Sequence, residues 1–212
     1  MAEQKVEVFT GVNIVGFFLI ALAGWIDVVG VKWFFKERSA FMTGRASNIG
    51  MNFSVGNPSE GWVIIMIVVA FIIGAAIGTK LTKAFGLSGG LTFTAALVII
   101  AAWMLGPDAG RTILAILIPM AMGCQNASSS ATPINRTTHL TGPATDIGTN
   151  LALGNWNLFV FWLLRWIGFP LGAYMALTSF TAETAPMALG VGGVGVLLVA
   201  IIQKVTVDIP LK

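Results

Sequence analysis

One stretch of fifteen residues occurs twice in this chain, at 43–57 and again at 141–155. Without gaps, eight positions are identical: Thr43/Thr141, Gly44/Gly142, Ala46/Ala144, Ile49/Ile147, Gly50/Gly148, Asn52/Asn150, Gly56/Gly154 and Asn57/Asn155. Two unrelated stretches of ordinary composition would share about one. Ser47/Thr145 and Asn48/Asp146 are also chemically close. Both copies are helix-like and polar, and both must find equivalent surroundings in one fold.

Those surroundings are apolar. Of 212 residues, 56% are hydrophobic and 10% charged, against about 25% charged in soluble domains. An integral membrane protein is expected, with the lipid bilayer as its first partner. The net charge of +3 comes without a basic run interleaved with aromatics, so nucleic acid is not an expected partner. Cys124 is the only cysteine, which excludes an intramolecular disulfide and a multi-cysteine metal site. There is no HExxH, GxSxG or paired metal-ligand cluster, so no enzyme, cofactor or metal is expected.

Six segments reach the length and apolarity of a membrane span, which takes about 20 residues: 12–33, 62–82, 91–105, 112–129, 157–178 and 187–205. The first reads as an integral span, too long for a cleaved signal peptide. The third is expected to begin inside a Gly89-Gly90 turn. Trp33, Trp62, Trp103 and Trp156 fall near the predicted interfaces, where indole rings are favoured.

The duplicated stretch is too short to join them. A helix over 43–56 would be about 21 Å long, against a hydrocarbon core of about 30 Å. It is also too polar to face lipid, so it lies on the surface or enters part-way. Each copy follows a span that contains a glycine and, three residues on, a polar residue: Gly24-Trp-Ile-Asp27 and Gly123-Cys-Gln-Asn126. Each precedes a small-residue pair that lets helices approach closely, Gly74/Gly78 and Gly168/Gly172.

The predicted fold is therefore an all-α integral membrane domain covering 1–212, with repeats at about 11–106 and 109–206. Six transmembrane helices form two three-span repeats, each with an added short polar half-helix. Three crossings per half, an odd number, turn the second repeat upside down. If the short helices crossed, the halves would be four plus four and parallel; their length favours the inverted plan. The distribution of Lys and Arg places both termini in the cytoplasm.

Candidate site residues follow from this plan. Thr43 and Thr141 are read as N-caps, beside Gly44 and Gly142, which allow close backbone approach. Two such helix starts facing each other would suit an anion or a polar carbonyl compound. Asn48 and Asn52 share one helix face, and Asp146 and Asn150 repeat it; Asn126 adds an amide from the fourth span. These polar faces could equally satisfy only each other. Asp27, Arg45, Asp146 and Arg165 are charges at depth, where pairing or function is usual. Arg165, aligned opposite Phe71 of the first repeat, is expected to bind an anion or pair with Asp146 or Asp27. His139, the single histidine, is a candidate coupling group or a local hydrogen-bonding residue.

Ala23-Gly-Trp-Ile-Asp27, followed by Phe41-Met-Thr-Gly44 and Gly50, resembles the first signature of the YoaK family of bacterial membrane proteins, also called DUF1275. Gly123-Cys-Gln-Asn-Ala127, with Leu140-Thr-Gly142 and Thr145-Asp146, is similar to its second signature. The resemblance covers roughly residues 11–198. Arg45 departs from it, standing where the family more often has a neutral polar residue, and so does the polar connection 128–136. The resemblance implies a six-span protein of the bacterial inner membrane, commonly labelled a transporter. It supplies neither a substrate nor binding residues.

Two functions are open at this point. One is a small secondary transporter or channel-like permease for a small polar or anionic solute, bound between the half-helices. The other is a non-transporting accessory subunit, within a homo-oligomer or a larger membrane complex.

Overall fold

The computed structural model describes residues 8–35, 39–105, 111–207 and 209–212. All regular structure among them is helical. Helix α1 is Gly11–Val29, continued as a π-helical segment, Gly30–Phe35. Then follow α2 (Met42–Ser54), α3 (Pro58–Met104), α4 (Arg111–Ser130), α5 (Thr141–Ala152), α6 (Trp156–Ser179) and α7 (Ala185–Thr206). Among the described residues, four helices are long and apolar enough to cross a membrane: α1 with its π extension, α3, α6 and α7.

Helix α3, 47 residues long, is two helices folded at Gly86. Gly86 has φ 74° and ψ −177°, a backbone only glycine adopts easily. The arms are 58–85 and 87–104. The expected break at Gly89-Gly90 is thus displaced, because those two glycines are helical. Gly90 serves packing instead: a Cβ there would overlap Ser128 Oγ and stand 2.6 Å from Thr82 Oγ1.

Four glycines let backbones touch. A Cβ on Gly24 would overlap the Phe169 carbonyl, and one on Gly172 the Ala21 carbonyl, so α1 packs directly on α6. A Cβ on Gly123 would overlap the Phe71 carbonyl, and one on Gly74 the Met120 carbonyl, so α4 packs on the first arm of α3. The two contacts are equivalent and exchanged. The opening helix of each half packs on the glycine helix of the other half. This register pairs Gly74 with Gly172 and Phe71 with Phe169. The two GxxxG motifs are therefore offset by one turn, and Arg165 corresponds to Ile67 rather than to Phe71.

Contact order gives directions. Gly16, Ile20 and Ala21 meet Arg165, Gly168 and Gly172 in turn, so α1 and α6 run parallel. Met120 and Cys124 meet Gly74 and Gly78, so α4 runs parallel to the first arm. The second arm runs against α4: Cys124 Sγ donates to the Gly90 carbonyl at 3.3 Å, and Thr94 Oγ1 lies 3.5 Å from the Ala121 carbonyl. Helix α7 runs against the second arm, Gly190 near Ala102 and Gly193 near Ile99. It also runs against α1, with Gly11, Leu22 and Ile26 meeting Val207, Gly195 and Gly192.

The core between these helices is aliphatic, with Leu19, Ile20, Ile26, Leu91, Val98, Ile118, Met122 and Leu189 all buried. Outward faces are also apolar: Phe18, Val69, Ile72, Ile100, Leu171, Val194 and Ile201 are exposed. So large an apolar exterior is what a bilayer covers.

Candidate functional site

The two short helices are built alike at both ends. At the far end, α2 closes with Gly56 at φ 75° and α5 with Gly154 at φ 69°. The Asn57 amide donates to the Asn52 carbonyl and the Asn155 amide to the Asn150 carbonyl, both at 2.9 Å. These are the long bonds of a Schellman turn, in which glycine takes the left-handed position. The Asn52 side chain donates to the Asn48 carbonyl at 2.9 Å, and that of Asn150 to the Asp146 carbonyl at 2.8 Å. The repeated Asn, Gly and Asn thus form the tight reversal into α3 and into α6.

At the near end, the chain is tied to the preceding helix. Asp27 Oδ1 accepts from the Ser39 amide at 2.7 Å, the Ser39 hydroxyl at 2.9 Å and the Ala40 amide at 3.0 Å. Asp27 and Ser39 are fully buried. In the second half, Asn126 Oδ1 accepts from the Thr138 amide at 3.4 Å. Thr137, which matches Ser39, pairs its hydroxyl with Ser129 at 3.1 Å and accepts from Gln125 at 3.2 Å. Gln125 also donates to the Leu19 carbonyl at 2.8 Å, joining α4 to α1.

Thr43 and Thr141 do not cap their helices. The helices begin at Met42 and Thr141, behind Phe41 and Leu140, and neither start has a side-chain cap. Both preceding residues pack against the core, and the Phe41 ring lies edge-on to Phe169 at 5.3 Å. This apolar anchoring draws the threonines into the helix, Thr43 as its second residue and Thr141 as its first. Phe169 is near the middle of α6, so α2 starts deep in the bundle. His139 takes in the second half the place of Phe41; it is half-buried, with Cδ2 3.9 Å from where a Gly142 Cβ would stand.

Arg45, in the first turn of α2, is 3% exposed. The Asp27 carboxylate acts on it electrostatically, opposing the cost of burying the guanidinium. The second half carries neutral Asn126 and buried Pro143 at these two places. The charge thus appears as a matched pair in one half and is absent from both positions in the other.

Other candidates stand apart. Gly44, Gly50 and Gly148 have open space around them, and Thr43, Ser47, Thr141 and Thr145 are exposed. Asn48 and Asp146 are half-buried. Each short helix packs along the long helix that follows it, α2 on α3 and α5 on α6, and neither packs extensively on the other. Arg165, 3% exposed, donates to the Ile134 carbonyl and lies over the rings of Phe161 and Trp162. Among the described residues it meets neither Asp27 nor Asp146. Ser39 and Thr137 escaped the sequence reading, although each lies four residues before its repeated threonine.

Among the described residues, fold and site together define an all-helical protein with four helices long and apolar enough to cross a membrane and two matched, deeply anchored short helices. A family model described as "Protein of unknown function (DUF1275)" matches residues 15–202, and the chain belongs to that family. No curated protein and no solved structure matches it.

Proposed function

We propose that the chain is a small secondary transporter or channel-like permease with six spans in two inverted repeats. The observation that carries this reading is the relative direction of α1 and α4. Helix α1 opposes α7, α7 opposes the second arm of α3, and that arm opposes α4. The two matched helices therefore run in opposite senses. Helix α2, with 13 residues, is about 20 Å long, too short to cross about 30 Å of hydrocarbon. On this reading it starts at mid-depth and returns to the side from which the chain came.

Inverted repeats with half-helices starting near the midplane are a common transporter plan. The first-turn amides of α2 and α5 supply donors there, with Thr43, Gly44 and Asn48 on one side and Thr141, Gly142 and Asp146 on the other. Asn126 and Asp27 hold the two starts, Arg45 adds a compensated cation, and Asn52 and Asn150 shape the outer ends. On this reading His139, at the Phe41 position, is the coupling residue. The solute is a small polar molecule or anion. The protein works in a bacterial cytoplasmic membrane with both termini cytoplasmic.

Stopped-flow swelling of proteoliposomes tests this, with sodium formate, sodium nitrate and urea as probes. Flux above protein-free vesicles for at least one probe, lost in Gly44→Trp and Gly142→Trp, is the expected result. Protein-free rates for all three would overturn it.

The exposed faces of α2 and α5 favour a second reading, an accessory subunit. Ser47, Gly50, Thr145 and Gly148 are uncovered, and a polar face at membrane depth needs water or another protein against it. Purification as a stable complex with a second membrane protein, together with no flux, would favour that reading.

A further inference from the structure

Between the outer faces of α1 and α6 lies a cavity of about 210 Å³. Phe9, Ile14, Phe17, Phe161 and Leu164 wall it, and Asn13 and Arg165 are its polar lining residues. Its mouth is at the surface, where Phe9 is 81% and Ile14 47% exposed. Its inner wall carries a buried cation whose known partners are all neutral. Arg165 gives one N–H to the Ile134 carbonyl, and its guanidinium carbon lies 5.0 Å and 5.7 Å from the Phe161 and Trp162 ring centres. Its Nε, fully buried, has no hydrogen-bond partner among the described residues, and no carboxylate lies within 4.0 Å of it there. Gly16 gives the guanidinium its room, since a Cβ there would come within 2.6 Å of Nη2.

A guanidinium stays charged, and a buried charge with no counter-charge is strongly unfavourable. Carbonyl and ring contacts solvate it but do not neutralise it. The structure therefore calls for an anion beside the Arg165 guanidinium, in a chamber whose walls are otherwise largely hydrocarbon.

We infer that this cavity binds a long-chain fatty carboxylate, its head against Arg165 and its first methylenes against the aromatic and aliphatic walls. A planar carboxylate is the anion that a guanidinium pairs with most closely in shape. The apolar lining matches an acyl chain, whereas a sugar or amino acid would leave polar groups unsatisfied. Arg165 lies level with Gly16, five residues and about 8 Å inside the start of α1. That depth suits a single-chain amphiphile better than a two-chain lipid, whose phosphate stays at the interface. The site lies outside the short-helix region and does not depend on the transport reading.

Native mass spectrometry of the full chain, delipidated in nonionic detergent and titrated with oleate, tests this. One oleate binds the wild type, and methyl oleate binds at least ten-fold more weakly. Arg165→Gln and Ile14→Trp each weaken oleate at least ten-fold; Ile14 is on the surface, so its variant keeps the fold if Arg165→Gln does not. Equal binding of oleate and methyl oleate, or full oleate binding in Ile14→Trp, overturns the inference. So does tighter, Arg165-dependent binding of phosphatidylglycerol. Oleate binding to Glu7→Gln but not to the wild type also overturns it, since Glu7, just before Val8 in the sequence, would then be the counter-ion.

Discussion

Asp27 grips Ser39 twice, through the backbone amide at 2.7 Å and the hydroxyl at 2.9 Å, in a fully buried setting. This link turns the chain back into the bundle after α1 and fixes where α2 begins. Asn126 plays the same part before α5 through the Thr138 amide. One carboxylate or amide per half thus sets the depth of each short helix.

Removing that acceptor strands buried donors, at about 1–3 kcal/mol for each group left unsatisfied. Asp27→Leu is expected to lower the melting temperature in detergent sharply. Asp27→Asn keeps an acceptor but removes the negative charge that acts on Arg45, so Asp27→Asn/Arg45→Gln should be more stable than additivity of the two single variants allows. The coupling should be about 1–3 kcal/mol, read from a double-mutant cycle of thermal unfolding.

The exchanged glycine contacts give a second contrast. Gly24→Ala, Gly74→Ala, Gly123→Ala and Gly172→Ala each drive a methyl into a backbone carbonyl of another helix. Overpacking of this kind costs about 1–3 kcal/mol or more. Gly44→Ala and Gly50→Ala meet open space and should stay within about 0.5 kcal/mol of the wild type. Melting of the six variants side by side checks this.

At the outer ends, Gly56→Ala and Gly154→Ala place a Cβ on a left-handed backbone, costing about 1–2 kcal/mol each. Asn52→Leu removes only the side-chain bond to Asn48, at about 1 kcal/mol. These variants should keep the helical circular dichroism of the wild type while melting earlier.

Much of this was legible in the sequence and some was not, for identifiable reasons. The duplication and the apolar segments follow from residue patterns that any fold of the chain must respect. The π extension of α1 and the place of the α3 fold do not. Gly86, Gly89 and Gly90 look alike in sequence, and only the positions of Ser128 and Thr82 show that Gly90 is small for packing. Gly24 and Gly123 announce close helix contacts, but not that each is made with the opposite half. Thr43 and Thr141 look like caps because local preference favours them; Phe41 against Phe169 outweighs that preference. Arg165 was visible as a buried charge, whereas a backbone carbonyl partner such as Ile134 leaves no side-chain signature.

The inverted arrangement makes one prediction that the parallel alternative cannot share. Ser54 and Ala152 are matched, exposed positions at the ends of α2 and α5. With Cys124 replaced by alanine, single cysteines at these two positions can be labelled by a membrane-impermeant maleimide in intact cells and in inverted vesicles. Re-entrant short helices in inverted repeats put Ser54→Cys on the outer side and Ala152→Cys on the cytoplasmic side. Labelling of both from the same side would contradict the inverted repeat, and with it the proposed site.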